Sequence, residues 1–179
     1  MSKVIRFRLD PRSIQGAIRE IEAYKRRLSK INDDICLNLA KIGMQEASVR
    51  FASAQYDGTN DSVVTIEQME NGYKVVALGN AVAFIEFGTG VHYNAGVSYP
   101  LEKPSGIVGI GEYGKKQGKK DEWRYNGEPG TNGELRTSSS TGETYVVTHG
   151  NPAQMPMYYA LTKMQGEVER IVKEAFRSA

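Results

Sequence analysis

The longest regular pattern in the chain runs over residues 13 to 54 and leaves room for little except one long helix. Ile14, Ile18, Ile21, Leu28, Ile31, Ile35, Leu39 and Ile42 recur mostly at steps of three or four, with one longer gap partly filled by Tyr24. That is the period of an amphipathic helix. Ala47, Phe51 and Ala54 carry the stripe on, and no proline falls inside it. Asp10-Pro11 stands just before it, and an aspartate cap with proline in the first turn opens a helix. At 1.5 Å per residue such a helix is roughly 60 Å long, about twice the width of a small domain. Half of it must overhang its own core unless it breaks between residues 29 and 33. An overhanging apolar stripe needs a cover, most simply another copy of the chain.

The remaining elements are shorter. Ile5, Phe7 and Leu9 alternate with Arg6 and Arg8, which predicts a half-buried strand over residues 3 to 9. Residues 56 to 61 are turn chemistry, and residues 62–69 and 73–78 flank Asn71-Gly72, a hairpin signal that favours a primed turn. Residues 81 to 87 read as a short helix or buried segment stopped by Gly88-Thr89-Gly90. Residues 95 to 148 are rich in glycine and lysine and read as an inserted arm. Trp123-Arg124-Tyr125 and Tyr145-Val146-Val147 are its expected strand pair. Pro152 and Pro156 mark the start of a last helix with Met157, Leu161, Met164, Val168, Ile171, Val172, Ala175 and Phe176 as its stripe. The order predicts an α+β fold in which a long N-terminal helix and a C-terminal helix pack on a small antiparallel β-sheet, with a long Gly/Lys-rich β-arm insertion. Residues 1–179 are expected to be a single domain, with 95–148 as the arm within it.

Composition narrows the function classes. A net charge of +2, from 23 basic and 21 acidic side chains, gives no global field that would make nucleic-acid binding the default. One cysteine cannot form an internal disulfide. No apolar run reaches the ~20 residues that span a bilayer, and the charged N-terminus lacks the apolar core of a signal peptide. The expectation is a soluble chain made in a cytoplasm, with no membrane partner.

No motif assembles a credible active site. Gly109-Ile-Gly-Glu-Tyr-Gly114-Lys115-Lys116 satisfies the dinucleotide glycine spacing and nearly matches a P-loop. Neither opens a helix here, and Lys116 replaces the hydroxyl residue that would bind magnesium. Lys115, Lys116, Lys119 and Lys120 are candidate phosphate or channel contacts, with Trp123, Tyr125 and Tyr113 nearby to stack on bases. A solvated loop is the preferred reading, and a nucleic-acid-binding module the alternative. Glu86, between Phe84 and Phe87, is expected to accept hydrogen bonds from amides of the adjacent turn or to pair with a basic group. No histidine, cysteine or second acid is spaced to share catalysis with it. His92 and His149 flank the two ends of the arm and could meet in space, but nothing has metal-ligand spacing. No metal, cofactor or catalytic residue is therefore expected. Cys36 reads as a small buried filler.

Two blocks of sequence carry a resemblance. Ala81 to Gly90, AVAFIEFGTG, follows the hairpin and is answered downstream by Thr148 to Leu161, THGNPAQMPMYYAL. Together with the order of elements they resemble the neck, or head–tail connector, family of tailed bacteriophages, whose members are described as tail-completion or minor tail proteins. That family carries a segment like YIEFGTG and a G-x-PAxPFM-x-x-A run opening its last helix. Here Met155-Pro156-Met157 stands for Pro-Phe-Met, which moves the aromatic anchor to Tyr158 or Tyr159. The resemblance implies a non-enzymatic virion protein forming a homo-oligomeric ring, a hexamer, in the neck. The ring would join the portal and head-closure proteins to the tail terminator or tail tube around the channel for genomic DNA. The candidate subunit or partner interface is Phe51, Phe84, Phe87, Trp123, Tyr125, Tyr145, Met155, Met157 and Tyr158.

Overall fold

The computed structural model describes residue 6, residues 8–101 and residues 120–178. Helix α1, Pro11–Ala52, is continuous over 42 residues. Asp10 caps it by accepting from Ser13 N at 2.9 Å, and Pro11 occupies the first turn, where an amide would have no intrahelical acceptor. There is no break between residues 29 and 33. Instead Asp33 accepts hydrogen bonds there from the Tyr73 hydroxyl, at 3.1 and 3.2 Å, tying the helix to the following hairpin. At positions 6, 8 and 9 of the expected first strand the chain forms none, and Leu9 is fully exposed. The other residues of that stretch, Ile5 and Phe7 among them, lie outside the described residues.

Strands β1, Val63–Met69, and β2, Gly72–Leu78, form the expected antiparallel hairpin. Its register closes at Met69↔Gly72, so Glu70 and Asn71 make the bend. Neither has positive φ, and Gly72 alone takes it, at 147°. The primed turn expected at Asn71-Gly72 is thus not formed, because the ladder reaches one residue further than the Asn-Gly signal suggests. Helix α2, Val82–Phe87, ends at Gly88 with φ 69°, and a single further turn, α3, covers Val91–Asn94.

A second sheet comes from residues 120–148. Strands β3, Trp123–Tyr125, β4, Glu134–Thr137, and β5, Thr144–Thr148, lie in the order β3-β5-β4, all antiparallel. The expected pairing is present, with Arg124 opposite Val147. β4 was not anticipated, since its four residues are all exposed and carry no alternation. As the central strand, β5 buries Val146, Val147 and Thr148. Helix α4, Pro156–Ser178, completes the α+β fold.

The core lies where α1, α2 and α4 meet. Ala47, Phe51, Ala81, Ile85 and Ala160 form one buried cluster, flanked by Tyr56, Val64, Ala77, Val82 and Met157. Small residues on α1 let α4 approach closely: a Cβ on Gly43 would stand 2.5 Å from Met164 Sδ. Phe51 meets the start of α4 and Gly43 a later turn, so the two helices run antiparallel. Burying Phe51 contributes roughly 2–3 kcal/mol. The packing stops abruptly: no residue from 11 to 30 is buried, and Ile31 is the first that is. No helix among the described residues is long and apolar enough to cross a membrane.

Candidate functional site

The two sequence blocks near residues 85 and 152 fold against each other as a polar latch. Thr89 and Asn151 form an isolated antiparallel bridge: Thr89 N donates to Asn151 O at 2.9 Å, and Asn151 N donates to Thr89 O at 3.0 Å. The buried side chain of Asn94 knits both. Its Nδ2 donates to Gly90 O and Asn151 O, each at 2.9 Å, while Oδ1 accepts from Ala153 N at 2.8 Å. Gln154 N donates to Ile85 O at 3.0 Å, and the Gln154 amide exchanges two bonds with the backbone of Gln55. Asn151 Oδ1 accepts from Asp57 N at 2.8 Å, and the Asp57 carboxylate accepts from Asn132 N and the Thr148 hydroxyl. Burial pushes the Asp57 carboxyl up from its ordinary range, opposed by those hydrogen bonds.

Glycine is required where these backbones touch. A Cβ on Gly150, whose φ is 85°, would fall 2.0 Å from Thr89 O, and one on Gly88 would fall 2.7 Å from Ala153 N. Both are closer than any real contact, so the spelling of these blocks follows from backbone proximity as well as from turn geometry.

Glu86 is only 3% exposed, and its carboxylate faces the start of α4. Oε2 accepts from Met157 N at 2.8 Å and Oε1 from Tyr158 N at 3.1 Å; the Tyr99 hydroxyl also donates to Oε1. The sequence points to amides of the adjacent turn; these belong instead to a helix some seventy positions downstream. Met155 stands just before α4; its carbonyl accepts from Tyr159 N at 3.1 Å, and its side chain has no capping oxygen. Met155 also holds a positive φ of 51°, among the described residues a conformation otherwise left to glycines. Glu86 therefore supplies the missing cap, with its charge at the positive end of the helix dipole. Burial first, and then the bond to Glu86, drives the Tyr99 hydroxyl far above its ordinary range.

The remaining candidates are scattered. Phe51 and Phe87 are buried inside the chain, at 1% and 8% exposure, and offer no surface to a partner. Phe84, Trp123, Tyr125, Tyr145, Met155, Met157 and Tyr158 are half-buried. Tyr158 joins an aromatic group with Tyr99 and Tyr159, and Arg124 lies over the Tyr145 ring at 4.7 Å. Cys36 is half-buried and helps line an apolar groove of about 550 Å³ between α1, β2 and α4. Lys115, Lys116, Lys119 and the Gly109–Lys116 glycine pattern lie outside the described residues. Lys120 is exposed. His92 and His149 do meet, with ring centroids 4.5 Å apart and Asp121 beside both. Asn94, Tyr99 and Asp57 were not singled out from sequence; their only signal was proximity to glycine turns.

No protein-family model matches the chain, and neither a curated protein nor a solved structure matches it. The site is thus read from its own geometry. It is a dense set of polar groups that hydrogen-bond to one another. Such an arrangement ties α2, the end of β5 and the start of α4 to one another.

Proposed function

We propose that this chain is a structural, non-enzymatic virion subunit that assembles as a hexameric ring in the neck of a tailed bacteriophage. The ring joins the portal and head-closure proteins to the tail terminator or tail tube and surrounds the channel for genomic DNA. The observation that carries this reading is the bare half of α1. Over residues 11–30 it presents Ile14, Ile18, Ile21 and Tyr24, each 38–52% exposed, beyond the reach of its own core. A face of this kind is stabilised when it is buried, at roughly 25 cal/mol per Å² of apolar surface. Contacts between unlike surfaces of identical copies close into a ring when the rotation between them permits. The resemblance of residues 81–90 and 148–161 to the neck family points to the same role and supplies its location. A latch that locks helix angles also suits a subunit whose work is to hold a fixed shape.

Disrupting the gene in the phage that carries it tests the proposal. Filled heads and separate tails are expected in place of whole particles, with a ring at the head–tail junction of the undisrupted virion by electron microscopy. Normal virions from the disrupted gene overturn it.

A further inference from the structure

His92, Asp121 and His149 come from three separate parts of the chain, yet each places a ligand atom within 4.8 Å of the other two. His92 Nδ1 is 3.2 Å from Asp121 Oδ1, and His149 Nδ1 is 3.9 Å from Asp121 Oδ2. Ligands of a tetrahedral zinc ion, at metal distances of 2.0–2.2 Å, lie about 3.4 Å from one another. The observed separations straddle that value, so small side-chain rotations bring all three onto one ion.

The frame beneath these residues is rigid. His92 follows Gly90 by two positions and His149 precedes Gly150, and a Cβ on either glycine would lie within 3.0 Å of the Trp123 ring. Asp121 precedes that tryptophan by two positions. Val91 N donates to Lys120 O at 3.1 Å. His149 Nδ1 lies 3.0 Å from Asp121 O, a hydrogen bond that nitrogen gives up when it turns to ligate the ion. The backbone that presents the ligands is thus already held in place, which is what a metal site requires. All three side chains are more than a third exposed, at 45%, 67% and 38%, so an ion has a path in and water a place in its shell. A second acid, Glu134, paired with Arg136 at 2.8 Å, lies near His149.

We propose that His92, Asp121 and His149 bind one divalent transition-metal ion of the zinc class. Two imidazole nitrogens with one carboxylate select zinc and its first-row neighbours over magnesium or calcium, which take oxygen ligands. The ion clips α3 to the start of β3 and the end of β5. It stands apart from the bare face of α1 and does not depend on the ring.

The test uses the full chain purified without a histidine tag and stripped with chelator, then titrated with Zn²⁺ by calorimetry. Co²⁺ absorption reports the coordination number. One ion per chain is expected, with affinity lowered by at least about tenfold in His92→Gln and in His149→Gln. Unchanged circular dichroism will show that the variants fold. The absence of saturable Zn²⁺ binding overturns the proposal, as does equal affinity in either histidine variant.

Discussion

The two halves of α1 follow one periodicity and meet opposite fates. From Ile31 onward the stripe is interleaved with Ala40, Gly43 and Ala47, and α4 lies against it. Over residues 11–30 the stripe is of large side chains, and nothing described covers them. The packed half ends beside the latch, where buried polar groups of α2, the Asn94 turn and the start of α4 satisfy one another. The bare half begins at an aspartate cap. An amphipathic period therefore specifies that a face will be buried, while residue size and chain connectivity decide by whom.

The sharpest way to break the packed end is Gly150→Ala. It drives a Cβ into Thr89 O at a positive φ, and a loss of at least about 3 kcal/mol is expected, read as a lower midpoint in urea. Failure to fold would agree with this; wild-type stability would mean the two blocks are not in contact. Glu86→Ala comes next. It strands the amides of Met157 and Tyr158 and the hydroxyl of Tyr99, at a cost of roughly 2–4 kcal/mol. Glu86→Gln, which keeps an acceptor, should lose less.

A paired substitution compares the packed and bare helices directly. Gly166 in α4 and Gly16 in α1 both have open space where a Cβ would go. Alanine at 166 should raise global stability by about 0.5–1 kcal/mol through helix propensity. Alanine at 16 should raise helicity by circular dichroism without moving the urea midpoint, because that half is uncoupled from the core. Equal effects on the midpoint would erase the distinction. On the bare face, Ile18→Glu with Ile21→Glu should change the stability of a single copy by no more than about 0.5 kcal/mol, yet abolish self-association in sedimentation. Assembly that survives both charges would place the contact elsewhere.

The smallest effect is one of pH. Asp61 is held below its ordinary range chiefly by the amide of Asn80 and then by that of Ala81. A folded pKa below the unfolded one contributes stability that is whole above the unfolded value, about 4, and is lost as pH falls through the lower folded value. The stability gap between wild type and Asp61→Asn should therefore narrow on acidification through that window. A gap that stays constant would show that the two amides hold the carboxylate no better than water does.

Much of the fold was legible because its signals are local. Asp10 and Pro11 announce the start of α1 within one turn, Gly88 stops α2, and the β-branched runs on either side of Asn71-Gly72 mark a hairpin. The bend was misplaced because register depends on the whole ladder and not on the dipeptide. β4 was invisible, since an exposed edge strand needs no apolar alternation. Of the candidate site, the two blocks were legible as spelling but not as contact. Phe51 and Phe87 illustrate the same limit: an aromatic residue on a stripe looks alike whether its cover is its own chain or another.

What the sequence by itself determined is the set of elements and the apolar face of each, because periodicity, caps and turn glycines act over a few residues. Only the tertiary structure decided that Glu86 caps a helix beginning at Pro156, that Asn94 joins Gly90 to Ala153, and that His92 and His149 share Asp121. Those hydrogen bonds and approaches link positions far apart along the chain. A donor and an acceptor carry no mark of their partner until packing of the apolar faces has brought the backbones together.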